Sequence, residues 1–203
     1  MTKKLIPLIV IAAVVIVILG AFTVMGWDNI ALDLKYQYLD ELNESTNESS
    51  VSWYVGNSPD ITIPEKIYDV KIVKIGSNFG KARKEKIQSV TMHDNIVEIG
   101  SKAFSWDCTN LKKITLSSKL TEIGTEAFSG CTALESISIP NGVTSIKDNT
   151  FLNCTSLKSV TLPDGITSIS SSAFTNCTNV NIAYKGQTYT YDQIEDLIAA
   201  VAA

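Results

Sequence analysis

The chain has 203 residues and carries 17 basic against 21 acidic side chains, so its formal net charge at neutral pH is −4. This balance excludes the basic surface on which nucleic-acid-binding domains depend, and a single histidine excludes a multi-histidine metal site. Four cysteines are too few for a small domain held together by dense disulfides.

The N-terminal part contains one long apolar segment, residues 5–27, without a charged side chain. About 20 apolar residues are enough to cross a bilayer as a helix. Lys3 and Lys4 precede the segment, whereas residues 28–50 hold six acids against one base. The positive-inside rule therefore places a cytoplasmic tip, residues 1–4, inside the cell and the rest outside. The sequence predicts a single-pass plasma-membrane anchor; a cleaved signal peptide followed by secretion is the alternative.

Residues 28–50 connect this transmembrane helix to the rest of the protein. Residues 30–42 have an amphipathic pattern that predicts a short juxtamembrane helix. Residues 41–50 contain one apolar side chain, Leu42, which is too little apolar surface to drive ordering. We therefore expect a flexible stalk that holds the following domain away from the membrane.

A repeat of 23 or 24 residues governs the next part of the sequence, residues 51–191. Equivalent residues recur in columns of cysteine, phenylalanine and isoleucine. The columns are Cys108, Cys131, Cys154 and Cys177; Phe104, Phe128, Phe151 and Phe174; and Ile75, Ile99, Ile123, Ile146 and Ile169. One copy cannot bury its own apolar edge, but stacked copies can. The period thus predicts a mostly β solenoid of about five repeats with these columns inside.

Four clear copies follow one signature, with single-residue departures, and a degenerate copy precedes them. The signature is Ile-Gly-x-x-Ala-Phe, Cys-Thr-x-Leu, Leu-x-x-Ile-x-Ile-Pro, and a turn followed by Val-Thr-x-Ile. Over residues 61–191 this combination closely resembles the BspA-like leucine-rich repeat family. The resemblance implies a leucine-rich-repeat solenoid. It also implies a surface or secreted protein of a bacterium or protist that acts in adhesion and binds host components.

The ends of a solenoid expose its core and need covering elements. Residues 181–191 alternate apolar and polar side chains around a Lys-Gly pair, which predicts a hairpin. Asp192 and Glu195 have the spacing of a capping box and open a predicted capping helix, residues 192–203. Four apolar side chains of this helix are expected to cover the last repeat: Ile194, Leu197, Ile198 and Val201. We expect the aromatic pair Trp53-Tyr54 to cover the other end.

Residue types that carry out chemistry are scarce. His93 falls in the turn column held by Pro140 and Pro163, and a general base needs a positioned partner that this turn does not offer. The four cysteines share one column without a Cys-x-x-Cys pair. We expect buried thiols that fill small apolar spaces, with disulfides between neighbouring repeats or a metal as alternatives. The sequence therefore predicts no enzyme, no cofactor and no catalytic or metal site.

One candidate binding surface, which we call the polar face, lies between the apolar positions of the repeated strands. Its residues are Gln88, Lys112, Lys113, Thr115, Glu135, Ser136, Ser138, Lys158, Ser159 and Thr161. We expect it to bind an extracellular protein or glycan; an ordinary solvated β surface is the alternative. Because it lacks Tyr, Trp and Arg, it does not resemble a tight hot spot, and avidity would come from many copies on one cell. A second hypothesis is a structural scaffold that docks another membrane protein, and the oligomeric state is left open.

Overall fold

A computed structural model describes much of the protein beyond residue 35. The described residues are 36–43, 46, 48–54, 58–67, 70–77, 79, 86–105 and 108–203. They belong to one compact unit, Asp33–Ala203. The predicted cytoplasmic tip and membrane anchor, residues 1–27, lie outside the described residues. Within those residues, no helix combines the length and the apolar character that a bilayer crossing requires.

The described part consists of strands, one short 3-10 turn and one α-helix near the C-terminus. The strands are β1 (Tyr36–Asn43), β2 (Glu48–Tyr54), β3 (Asp60–Thr62), β4 (Lys66–Ile67), β5 (Val70–Ile75), β6 (Ser89–Thr91), β7 (Glu98–Ile99), β8 (Lys113–Thr115), β9 (Glu122–Ile123), β10 (Ser136–Ser138), β11 (Ser145–Ile146), β12 (Ser159–Thr161), β13 (Ser168–Ile169), β14 (Asn181–Tyr184) and β15 (Gln187–Thr190). The 3-10 turn spans Tyr191–Gln193, and helix α1 spans Ile194–Ala202. The predicted mostly β architecture is confirmed.

The strands stack in two parallel ladders. Each repeat contributes one strand, which we call a rung, to each ladder. The first ladder runs through β3, β6 and β8 and continues in β10, β12 and β14. The second runs through β2, β5, β7 and β9 and continues in β11 and β13. Equivalent apolar residues pair across neighbouring rungs, as Val90 does with Ile114 and Ile75 with Ile99. The repeat period of the sequence therefore becomes a solenoid.

A stack of phenylalanine rings fills the interior. The rings of Phe104, Phe128, Phe151 and Phe174 lie nearly parallel, with neighbouring centroids 5.5, 5.6 and 5.3 Å apart. Phe79 extends the stack at its N-terminal end, where its ring meets Phe104 edge-on at 5.7 Å and 70°. All five side chains are fully buried. Ring contacts of this kind add to the apolar burial that holds neighbouring rungs together.

The N-terminal end of the solenoid begins earlier than the sequence predicts. Strand β1 pairs antiparallel with β2, and β2 pairs in parallel with β5. The predicted juxtamembrane helix over residues 30–42 is therefore wrong where it overlaps β1. The predicted flexible stalk over residues 41–50 is wrong where it overlaps the last residues of β1 and the first residues of β2. The side chains of Trp53 and Tyr54, expected to cover this end, are not among those described.

The physical reason for this correction lies in the backbone. Val51 is fully buried and pairs with Ile75, which places it one repeat period earlier in the isoleucine column. Lys71 Nζ lies 3.0 Å from Glu48 Oε1, which ties β2 to β5 at the surface. The polar content of residues 48–50 suggested disorder, but pairing with β5 satisfies their backbone groups and orders them.

A hairpin covers the C-terminal end of the first ladder, as predicted. Strands β14 and β15 pair antiparallel around Lys185 and Gly186, whose φ angles are 45° and 78°. Two consecutive positive φ values are the requirement of a type I′ hairpin turn. Helix α1 then packs Ile194 and Leu197 into the core, with Ile198 and Val201 partly buried against it.

The capping box of this end differs from the predicted Asp192–Glu195 pair. Gln193 Oε1 accepts hydrogen bonds from the Thr190 backbone N–H at 3.1 Å and from its hydroxyl at 3.2 Å. The box therefore joins Thr190 and Gln193. The reason is the 3-10 turn over Tyr191–Gln193, which moves the helical start upstream of Asp192.

Candidate functional site

The polar face is the outer surface of the first ladder. In β8 the side chains of Lys113 and Thr115 are exposed, whereas Ile114 between them is buried. Strands β10 and β12 have the same exposed–buried–exposed pattern. All ten residues predicted for the polar face are exposed to solvent. The period-two alternation of a strand puts Lys113 and Thr115, and their counterparts in β10 and β12, on one surface because the residue between each pair points into the core. The other four residues, Gln88, Lys112, Glu135 and Lys158, each lie directly before a strand.

Backbone hydrogen bonds hold the polar face in register. The N–H of Lys112 donates to the Gln88 carbonyl at 2.8 Å, and the N–H of Lys158 donates to the Glu135 carbonyl at 2.9 Å. The N–H of Glu135 donates to the Lys112 carbonyl at 3.4 Å, which links the two halves of the ladder. These four residues therefore form one column with one member per rung. The distance between neighbouring side chains of this column is therefore set by the spacing of the rungs and not by loop conformation.

The hydroxyl-bearing residues form two further columns beside it. Ser136 pairs with Ser159, and Ser138 pairs with Thr161. Thr115 pairs with a threonine of the preceding rung, Thr91. Hydroxyl groups can both donate and accept hydrogen bonds. The polar face thus offers a regular array of adaptable hydrogen-bonding groups.

The described ion pairs join neighbouring rungs. They are Lys71–Glu48, Lys74–Glu98, Lys102–Glu126, Lys147–Glu122 and Lys158–Glu135. On the polar face, Lys158 Nζ lies 3.6 Å from Glu135 Oε2, with both side chains more than half exposed. Exposed pairs of this kind contribute at most about 1 kcal/mol. No described carboxylate pairs with Lys112 or Lys113.

His93 connects two rungs. Its Nε2 lies 2.9 Å from the Pro64 carbonyl oxygen, and the Asn95 N–H donates to its Nδ1 at 3.1 Å. Since Nδ1 accepts a hydrogen bond, Nε2 carries the proton and donates to Pro64. Both ring nitrogens are therefore engaged by backbone groups, in the turn where the sequence placed this residue.

The neighbouring carboxylate of Asp94 is also engaged. Its Oδ1 accepts hydrogen bonds from the Ser118 hydroxyl at 2.9 Å and the Ser118 N–H at 3.1 Å. The Ser118 hydroxyl first, and then its amide, hold the pKa of Asp94 below its usual value. Asp94 points to the next rung rather than to His93 Nε2, so the two do not form an acid–base pair.

The cysteine column is a row of buried thiols. All four side chains are fully buried. The thiols of Cys131, Cys154 and Cys177 donate to the carbonyls of Phe104, Phe128 and Phe151 at 3.3, 3.1 and 3.0 Å. Burial, and next the neighbouring Cys108, raise the pKa of the Cys131 thiol well above its usual value. A protonated thiol is the form that can donate, so at Cys131 burial and the hydrogen bond to Phe104 favour the same state.

The role of these thiols goes beyond the apolar filling predicted from the sequence, because Cys131, Cys154 and Cys177 each donate a hydrogen bond to the backbone carbonyl of a phenylalanine in the preceding rung. The sequence signal for this contact was weak: the separations between the bonded members of the two columns are 27, 26 and 26 residues. Among the described residues, no group of three or more His, Cys, Asp or Glu side chains is arranged to hold a metal ion.

Comparison with known proteins identifies this arrangement. Residues 73–193 match the BspA-type leucine-rich repeat region in six copies. The chain belongs to the BspA-type leucine-rich repeat family. The match has one copy more than the sequence predicts. Leucine-rich repeat solenoids of this family are typically non-enzymatic binding scaffolds.

Several solved structures are similar to this BspA-type protein. A leucine-rich repeat protein of T. pallidum is 28% identical, with a TM-score of 0.65, over 73% of this chain and 68% of its own. A leucine-rich cell surface protein of Faecalibacterium prausnitzii A2-165 is 31% identical, with a TM-score of 0.62, over 79% of this chain. This chain spans 41% of the length of that protein. The pneumococcal vaccine antigen PcpA, at 18% identity and a TM-score of 0.54, shares the fold. No curated protein matches the chain.

Proposed function

We propose that this protein is a non-catalytic, membrane-anchored surface protein whose polar face binds an extended protein or glycan outside the cell. One observation carries the proposal: all ten residues of the polar face are exposed, on strands or directly before them, and backbone hydrogen bonds hold these segments in register. A binding surface needs side chains that are free to contact a ligand on a support that does not move. The first ladder supplies both.

The proposed location rests on the sequence and on the relatives. Residues 5–27 are apolar and uncharged and follow two lysines, which is the pattern of an N-in, C-out anchor. The similar protein of Faecalibacterium prausnitzii is itself a cell surface protein. We place the solenoid on the outer side of the plasma membrane; secretion after signal cleavage is the other outcome that the experiment below distinguishes.

The chemistry of the polar face favours weak, multivalent binding. Half of its side chains bear a hydroxyl, and the face contains neither aromatic residues nor arginine. Residues of those types supply most binding hot spots. Many copies on one cell would compensate for the weak affinity of a single polar face, because a second contact made by an already tethered partner occurs at a high effective concentration.

The proposal predicts that cells displaying the full-length protein adhere to surfaces coated with extracellular proteins or glycans. Replacing Lys112, Lys113 and Lys158 together by alanine should reduce adhesion several-fold, because it removes the cations of the polar face. The matched control replaces Lys66, Lys119 and Lys147, which changes the charge equally. It also breaks one surface ion pair, as the first variant does.

Proteolytic shaving of the intact cells should abolish adhesion by removing the exposed solenoid. Two results would contradict the proposal: adhesion that survives shaving, or equal adhesion by both triple variants. A solenoid found in the medium rather than on cells would identify secretion.

A further inference from the structure

The polar face carries an excess of positive charge in an acidic protein. Three of its ten residues are lysines and one is a glutamate, whereas the whole protein has a net charge of −4. Glu135 is already engaged with Lys158 at 3.6 Å. Lys112 and Lys113 form no ion pair with a carboxylate in the described part of the protein. The nearest carboxylates of the same ladder are Glu135, one rung from Lys112, and Asp60, two rungs from Lys113.

The second ladder does not share this excess. Its corresponding outer column contains Lys74, Glu98 and Glu122, which occupy neighbouring rungs. Each glutamate has a lysine partner, Glu98 at 2.9 Å from Lys74 and Glu122 beside Lys147. An anionic ligand would thus meet lysines without an ion-pair partner at Lys112 and Lys113 on the first ladder, whereas Lys158 and the lysines of the second ladder's pairs already have one.

The spacing of the lysines is set by the fold. Lys112 and Lys158 occupy the same column two rungs apart, because backbone hydrogen bonds connect Lys112 to Glu135 and Glu135 to Lys158. At about 4.8 Å per strand, two rungs correspond to about 9.6 Å. An extended β-linked disaccharide has a similar length. A linear glycan with one acidic group per disaccharide, lying across the strands, would therefore bring one acid to each of the two lysines. At Lys158 that acid would replace Glu135 as the partner, and a neutral sugar unit would lie opposite Glu135, which occupies the rung between the lysines.

The neighbouring columns fit the rest of such a polymer. Ser136, Ser138, Ser159 and Thr161 are exposed beside the lysine column, and hydroxyls pair readily with sugar hydroxyls because each both donates and accepts. The polar face has no aromatic side chain on which a neutral sugar ring could stack. Charge-assisted hydrogen bonds from lysine to carboxylate or sulfate are the strongest contacts that this surface can make.

From these observations we propose that the polar face binds a linear acidic glycan with one carboxylate or sulfate per disaccharide, aligned along the Lys112–Lys158 column. This inference rests on the proposed function, since it names the ligand class of the same surface. The ligand is distinguished from a neutral glycan by its charge. It is distinguished from an acidic peptide by its hydroxyls and by the interval between its charges.

Binding of the full-length protein to size-defined hyaluronan, which has one carboxylate per disaccharide, tests this inference. Neutral cello-oligosaccharides of equal length and poly-glutamate serve as comparison ligands. We expect hyaluronan to bind at least tenfold more tightly than either, with an affinity that falls as salt rises because screening weakens the lysine contacts. The double variant Lys112→Ala, Lys158→Ala should lose at least fivefold, whereas Lys66→Ala, Lys147→Ala should not.

Three results would overturn the inference: no binding of hyaluronan, equal binding of the neutral oligosaccharide, or equal binding of poly-glutamate. The first, together with loss of cell adhesion in the triple lysine variant, would leave the proposed function standing with another ligand. If the double lysine variant still binds hyaluronan and the triple lysine variant still supports adhesion, the polar face is not the binding surface in either proposal.

Discussion

Replacing Phe128 by alanine is expected to destabilise the full-length protein by about 3–5 kcal/mol. The side chain is fully buried, and its ring stacks on Phe104 at 5.5 Å and on Phe151 at 5.6 Å. The substitution would leave a cavity and remove both ring contacts. Because solenoid stability is approximately a sum of repeat and interface terms, one substitution in the middle of the stack weakens two interfaces.

Equilibrium unfolding in denaturant measures this loss. Val97→Ala is a suitable control, since Val97 is a large apolar residue that is 40% exposed and its truncation should change stability by less than about 0.5 kcal/mol. Similar midpoints for the two variants would mean that the phenylalanine stack does not hold the rungs together.

Replacing Gly142 by alanine is expected to destabilise the protein by about 1–3 kcal/mol. A Cβ atom at this position would lie 2.5 Å from the carbonyl oxygen of Leu120, in the preceding rung. The obstacle is a backbone atom, which cannot rotate away as a side chain can. Relief would require the two rungs to move apart, and this would strain the hydrogen bonds between them.

The next repeat supplies a matched control. Gly165 occupies the equivalent turn position, but a Cβ atom there would be 3.9 Å from the nearest heavy atom, the Asn141 carbonyl oxygen. Gly165→Ala should therefore change stability by less than about 0.5 kcal/mol. Thermal and denaturant unfolding of both variants compare them directly. Equal losses would show that the spacing between the rungs at Gly142 is not as described.

Much of the fold could be predicted from the sequence because equivalent residues recur at a fixed period. A column such as Ile99, Ile123 and Ile146 can only line up if the copies stack, and strand alternation then decides which residues point outward. The exposure of the polar-face residues within the strands follows from the same rule. Fold and surface were therefore predictable together, from spacing and polarity alone.

The N-terminal rung was missed because its copy lacks the Ala-Phe and Cys-Thr-x-Leu motifs. One signal was present, since Val51 precedes Ile75 by the same interval that separates Ile75 from Ile99. The polar residues around Val51 obscured it. Backbone pairing with an existing strand can order a segment whose side chains alone would not.

Interactions between particular atoms were less accessible from the sequence. The thiol of Cys154 donates to the Phe128 carbonyl at 3.1 Å, and two columns by themselves do not reveal which atoms meet. The residue before each later cysteine has a positive φ: 77° at Gly130, 60° at Asn153 and 66° at Asn176. Glycine and asparagine are the residues that tolerate this conformation. Their occurrence at the same position of successive repeats therefore indicates a turn before the cysteine.

Anomalous diffraction from sulfur in crystals of the full-length protein tests the central claim most directly, because it locates the sulfur atoms of the four cysteines and three methionines without reference to any fold. If the repeats stack as rungs that bury one edge and expose the polar face, the four Sγ atoms of the cysteine column will lie in a single row. Their neighbouring separations will be close to one rung, about 4.8 Å. Four sulfur positions scattered through the molecule would contradict it.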